Sequence, residues 1–100
     1  MSENFNYENL AGQLNTKFVL PDAAQPFELE LVEVTEPTVT TSQTFFSLFF
    51  LGSGDYMLPQ GSYRMNNEQL GEMTIFLVPT AQETEGFKYE AVFNLLNDEK

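Results

Sequence analysis

The sequence predicts a mainly β protein: a small antiparallel meander of about six strands, closed as a barrel or folded as a sandwich, with one short N-terminal helix. Three observations carry that reading. Apolar and polar residues alternate with a period of two over most of the chain, as strands with one buried face require. Turn-forming residues interrupt the alternation at short intervals. Only one stretch has helical spacing, so nothing is there to carry a parallel crossover and consecutive strands must pair antiparallel. With 100 residues and no internal repeat, residues 1–100 form a single β domain.

The helix comes first. Tyr7, Leu10, Ala11 and Leu14 fall at i, i+3, i+4 and i+7, one apolar face. Asn4 or Asn6 supplies the N-cap, and Glu8 suits the positive end of the dipole. Gly12 stops it after a turn or two, and so short a helix persists only by docking on apolar surface. One open end of the sheet is the natural place for it.

Thr16 to Leu20 then reads as a strand, stopped by Pro21-Asp22. Phe27, Leu29 and Leu31 alternate with Glu28 and Glu30, after which Val32 and Val34 take the opposite phase. A β-bulge near Leu31-Val32 accounts for the slip, since one extra residue re-aims everything after it. Glu36 to Ser42 shows no core signal and reads as a mobile loop. Gln43 to Leu51 (QTFFSLFFL) is the most hydrophobic strand, closed by Gly52-Ser53-Gly54-Asp55. Pro59 and Gly61 suit a type II turn leading into a strand at Ser62–Met65, and Asn66-Asn67, both tolerant of positive φ, mark the next reversal. Glu72 to Val78 is a strand stopped by Pro79, followed by an acidic turn from Ala81 to Gly86. Phe87 to Leu95 is the last strand, with Phe87, Tyr89, Ala91, Phe93 and Leu95 in one phase.

Taken in order, several of these segments form a pattern. They are Leu29-x-Leu31-Val32-Glu33-Val34, Phe46-Ser47-Leu48-Phe49-Phe50, and Leu58-Pro59-Gln60-Gly61-Ser62-Tyr63-Arg64. Leu70-Gly71-Glu72 with Phe76-Leu77-Val78-Pro79 follows, then Tyr89-Glu90-Ala91-Val92-Phe93-Asn94. The set covers nearly the whole chain and resembles an uncharacterised family of small bacterial all-β proteins, a domain of unknown function. The resemblance implies an all-β fold with a short N-terminal helix and brings no catalytic residue with it.

Composition narrows the function classes. Fifteen acidic residues face four basic ones, for a net charge of −11. Such a surface repels phosphate backbones and anionic headgroups, so neither nucleic acid nor membrane is an expected partner. The chain has no histidine and no cysteine, which removes the ordinary general base, the thiol nucleophile and the usual zinc ligands. An enzyme is not expected, nor a cofactor or metal. No apolar run approaches the ~18 residues that span a bilayer, and the acidic start Met1-Ser2-Glu3-Asn4 does not suit a secretory signal. The expectation is a cytoplasmic protein.

The individual candidates for chemistry mostly have simpler structural readings. Gly52-Ser53-Gly54-Asp55 lacks the third glycine, the lysine and the following helix of a phosphate loop, so it is a turn. Glu28 and Glu30 share a strand face, but nothing in the sequence dries them enough to split their pKa values for acid–base work. No alternating oxygen-ligand pattern marks a calcium loop. Ser47 has no basic neighbour to activate it. Arg64, the single arginine, offers a bidentate fork to a ligand carboxylate as a polar anchor; an ion pair with one of the many acids is the stronger reading.

The phenylalanine strand is different. Phe46, Leu48 and Phe50 form one face of it and Phe45, Phe49 and Leu51 the other, so both faces need cover. Phe76 and Val78 repeat the problem opposite Met73, Ile75 and Leu77. Either the N-terminal helix packs on the outer patch or the patch is a protein interface. The interface reading takes in Phe45, Phe46, Phe49, Phe50, Leu51, Phe76 and Val78. The expected function is a non-enzymatic interaction or assembly module, self-associating or fitted into a larger bacterial or phage-type assembly. The alternative is a carrier holding a small apolar ligand inside the barrel.

Overall fold

The computed structural model describes residues 7–22 and 27–96. The helix α1 occupies Tyr7–Ala11 and ends before Gly12, as the sequence predicts. The N-cap candidates Asn4 and Asn6 lie outside the described residues. Leu10 is fully buried, and Tyr7 sets its ring edge-on to Phe46 at 5.1 Å. Leu14 departs from the expected apolar face. With the helix already finished, it falls in the following turn and is exposed. Asn15 takes a φ of 73° in that turn, and its N–H donates to the Leu31 carbonyl at 2.7 Å.

Seven strands follow: β1 Lys17–Val19, β2 Glu28–Val34, β3 Thr38–Val39, β4 Gln43–Gly52, β5 Gly61–Asn67, β6 Gly71–Glu83 and β7 Gly86–Leu96. They run β2-β1-β5-β6-β7-β4 around the sheet, and β4 pairs back to β2. That last pairing decides between the two architectures. The result is a closed six-stranded antiparallel barrel with one extra strand and the short helix. Because β7 lies along one edge of β4 from end to end, β2 and β3 share the other edge in succession.

The bulge expected near Leu31-Val32 is present. Leu31 faces Phe50 and Glu33 faces Phe49, so Val32 is the extra residue. A second slip lies between Pro79 and Ala81, with Thr80 unmatched on β6.

Four local expectations need correction. Residues 36–42 are not all loop: Thr38 and Val39 pair with Phe45 and Thr44 through backbone alone, their side chains exposed. Gly61 opens β5 and does not take the positive φ of a type II turn; among the described glycines only Gly71 and Gly86 do. Asn66 and Asn67 remain in β5, and the reversal comes at Glu68-Gln69-Leu70. Pro79 does not stop β6, because proline is tolerated beside a bulge, and the acidic turn shrinks to Thr84-Glu85.

Inside the ring, Phe18, Leu29, Leu48, Phe50, Met65 and Leu77 are fully buried, with Phe18 edge-on to Phe50 at 5.2 Å. Phe46 and Phe93 stack nearly parallel at 5.2 Å, directly beneath Tyr7 of the helix. The helix therefore plugs one end of the barrel. Tyr89 is buried at a position where its hydroxyl accepts the Leu58 N–H at 2.8 Å, which ties the β4–β5 connection to the core. Burial pushes the Tyr89 phenol above its ordinary pKa.

Candidate functional site: the outer face of β4, β6 and β7

Alternation on β4 sorts its phenylalanines into two groups. Phe46 and Phe50 point inward and are 4% and 0% exposed, so neither is available to an interface. This corrects their place among the interface candidates: they are barrel core. Phe45, Phe49 and Leu51 point outward and are half-buried. On β6, Met73, Ile75 and Leu77 face the core while Phe76 and Val78 face out.

Strand pairing assembles the outer face in rows. One row crosses Val78, Glu90, Phe49 and Glu33 on β6, β7, β4 and β2. The next crosses Ala81, Lys88, Leu51 and Glu30. On the other side, Ser47 faces Val92, and the Ser47 hydroxyl donates to Glu90 Oε2 at 3.1 Å.

Partial cover comes from charge, not from the helix. The Lys88 Nζ sits 5.0 Å above the centre of the Phe49 ring, within reach of Glu33 at 3.6 Å and Glu83 at 3.9 Å. Its aliphatic stem covers apolar surface while the ammonium meets two carboxylates and a ring face. Among the described residues no comparable contact covers Phe76 or Val92, which are 50% and 69% exposed.

Val92 was not among the residues singled out from sequence, although a signal for it exists. With Tyr89, Ala91 and Phe93 inward, the outward phase of β7 between them and beside them is Lys88, Glu90, Val92 and Asn94, and Val92 is the apolar residue of these four.

Arg64 stands elsewhere, on the outer side of β5, and its fork is already engaged. Nε and Nη2 donate to the two carboxylate oxygens of Asp22 at 3.1 and 2.7 Å, and Nη1 donates to Glu72 at 2.8 Å. The hydrogen-bonded guanidinium holds the Asp22 carboxyl below its ordinary pKa, and the two carboxylates push that of Arg64 up. The arginine is a structural ion pair joining the segment after β1 to β5 and β6, and offers no open fork to a ligand. Lys17 pairs with Glu28 at 3.7 Å. These two, with Glu30, Leu51, Gly52, Ser53 and Glu85, line a shallow open depression of about 180 Å³. Among the described residues, no three acidic side chains converge in a metal-binding arrangement. In the Gly52-Ser53-Gly54-Asp55 segment the Ser53 hydroxyl accepts the Asp55 N–H at 3.0 Å, as a turn would have it.

This barrel, with its helical plug and two-faced β4, can be set against known families. The model of one, described as Domain of unknown function (DUF6916), matches residues 5–93. The chain belongs to the DUF6916 family. No curated protein matches the chain, and no solved structure does. The matched span of the DUF6916 domain takes in β2, β4 and β6 whole and β7 as far as Phe93.

Proposed function

We propose that this DUF6916 domain is a non-enzymatic protein-interaction module of bacterial or phage-type assemblies, docking through the outer side of β4, β6 and β7. The observation that carries the reading is the exposure of Phe76 and Val92 on sequential strands, beside the half-covered Phe45, Phe49, Leu51 and Val78. Apolar side chains grouped on one outer face are the usual mark of a docking surface.

The far end of β6 is a weaker site for strand addition. Beyond Leu77 the strand has no β5 partner, and Pro79 and the Thr80 bulge lie in that stretch. Both obstruct the addition of a foreign strand. The carrier alternative finds less support, because the inward positions are taken by the protein's own large side chains, Phe18, Phe50 and Tyr89 among them.

A photo-crosslinking residue placed at Val92, with Glu68 in the β5–β6 turn as control, tests the proposal in the source cells. A discrete adduct at position 92 and none at 68 is the expected result. If positions 92, 76 and 49 give no adduct and light scattering shows a monomer at every concentration, the reading fails.

A further inference from the structure

We infer that the occupant of this outer face is a cationic amphipathic segment of another protein, with basic and apolar side chains side by side, and not a second copy of this chain. The inference rests on the docking reading above and adds the chemistry of the partner.

Two independent features of the face point the same way. The first is apolar: Phe76 and Val92 stand exposed, and Val78 continues the same side of β6. The second is charge. Glu90 lies between Val78 and Phe49 in one row, with Glu33 at its end, and Glu30 ends the next row. Glu83 lies beyond, where it meets Lys88. Four carboxylates thus lie around Val78, Phe49 and Leu51, with Lys17 opposite Glu30 on β1 and Lys88 as the one base within these rows.

That base is not free. Lys88 is held by Glu33, Glu83 and the Phe49 ring. The other two bases among the described residues are also paired with carboxylates: Lys17 with Glu28, and Arg64, two register positions from Phe76 on β5, with Asp22 and Glu72. Among the described residues, then, no cation is left beyond those already paired, and the chain carries a net charge of −11.

A second copy fits badly. Symmetric packing of this face on itself brings the same carboxylates together at short range with only Lys88, already shared between Glu33 and Glu83, to offset them, so like-charge contacts oppose it. A partner whose lysines or arginines meet Glu30, Glu33, Glu83 and Glu90 while its apolar side chains cover Phe76 and Val92 satisfies both features at once. The field of the acidic domain also steers such a partner toward it.

Fluorescence anisotropy with three labelled synthetic peptides of equal length tests the inference: alternating Lys–Val, alternating Lys–Ser and alternating Glu–Val. The Lys–Val peptide should bind most tightly, and added salt should weaken it by about tenfold or more. The double variants Val92→Ser/Phe76→Ser and Glu33→Gln/Glu83→Gln should each weaken it by about tenfold, with circular dichroism confirming that both remain folded. Equal binding of Lys–Ser, or binding of Glu–Val as tight as Lys–Val, overturns the inference. So does a dimer in light scattering that Phe76→Glu dissolves, which would make the partner a second copy while leaving the docking face in place. An adduct at Val92 with no binding of the Lys–Val peptide likewise sinks the cationic partner alone. Loss of both adduct and peptide binding removes the docking reading as well.

Discussion

The carbonyl oxygen of Gly52 lies 1.8 Å from the point that a Cβ on Gly86 would occupy. The two residues sit where β4 ends and β7 begins, and the contact leaves room for nothing larger than hydrogen. Gly86 also has a φ of +154°, a conformation that other residues rarely take.

Gly86→Ala is therefore expected to destabilise the domain by about 2–3 kcal/mol or to prevent folding. Gly71 is the informative contrast, with a φ of +82° and no atom within 4 Å of a built Cβ. Its alanine variant should lose only about 1 kcal/mol, the conformational cost alone. Urea denaturation of the two variants separates steric overlap from backbone preference, and equal losses would refute the overlap.

The two phases of β4 should respond differently to truncation. Phe50 is fully buried against Phe18, so Phe50→Ala should cost about 3–5 kcal/mol. Phe49 loses only partial burial and the Lys88 contact, for about 1 kcal/mol. Chemical denaturation ranks them directly; a Phe49 variant as damaging as the Phe50 one would mean that the faces are assigned wrongly.

Asn67 is a buried polar node. Its Oδ1 accepts the N–H groups of Gln69 and Leu70, both at 2.9 Å, while Nδ2 donates to the Lys17 carbonyl at 3.1 Å and to Thr16 Oγ1 at 3.2 Å. Asn67→Ala strands these groups and should cost about 2–3 kcal/mol. Hydrogen exchange at Gln69 and Leu70 should speed up in parallel, and unchanged exchange there would argue against the side chain as their acceptor.

Acid should weaken the link between Asp22 and Arg64. The folded-state pKa of Asp22 lies below the ordinary value of 3.8, chiefly through its hydrogen bonds from Arg64. Its contribution is then complete above pH 3.8 and disappears as the pH falls through the depressed value. Carboxyl NMR titration should show Asp22 titrating below the ordinary aspartate value of 3.8, and Arg64→Gln should bring it back up. A wild-type Asp22 that titrates at the ordinary value would dismiss the pair.

What could be read from sequence depended on whether side chains or backbone carried the information. The faces of β4 and β7 were legible because each alternates for its whole length, and the Val32 bulge showed as a change of phase. Thr38 and Val39 left no such trace, since they join the sheet through backbone groups with their side chains in solvent. Pro79 misled because the residue that ends most strands is admitted beside the unmatched Thr80. Asn67 was read for its backbone tolerance, whereas its amide side chain does the organising. Ring closure could not be read at all, because the β2–β4 and β1–β5 pairings join segments that are not neighbours in the chain. For the outer face, the apolar members of β4 and β6 were visible, but the carboxylates around them come from β2, β6 and β7 and meet them only once the register is known.

The same closure sets the tempo at which the molecule assembles. The β5–β6 and β6–β7 hairpins join neighbours in the chain and can form on the microsecond scale of local structure. The bond from Asn67 to the Lys17 carbonyl instead spans 50 positions, and none of the intervening loop entropy is recovered until that seam is made. Refolding in stopped flow should accordingly be slow for so small a chain, milliseconds or longer, with the β1–β5 seam closing late.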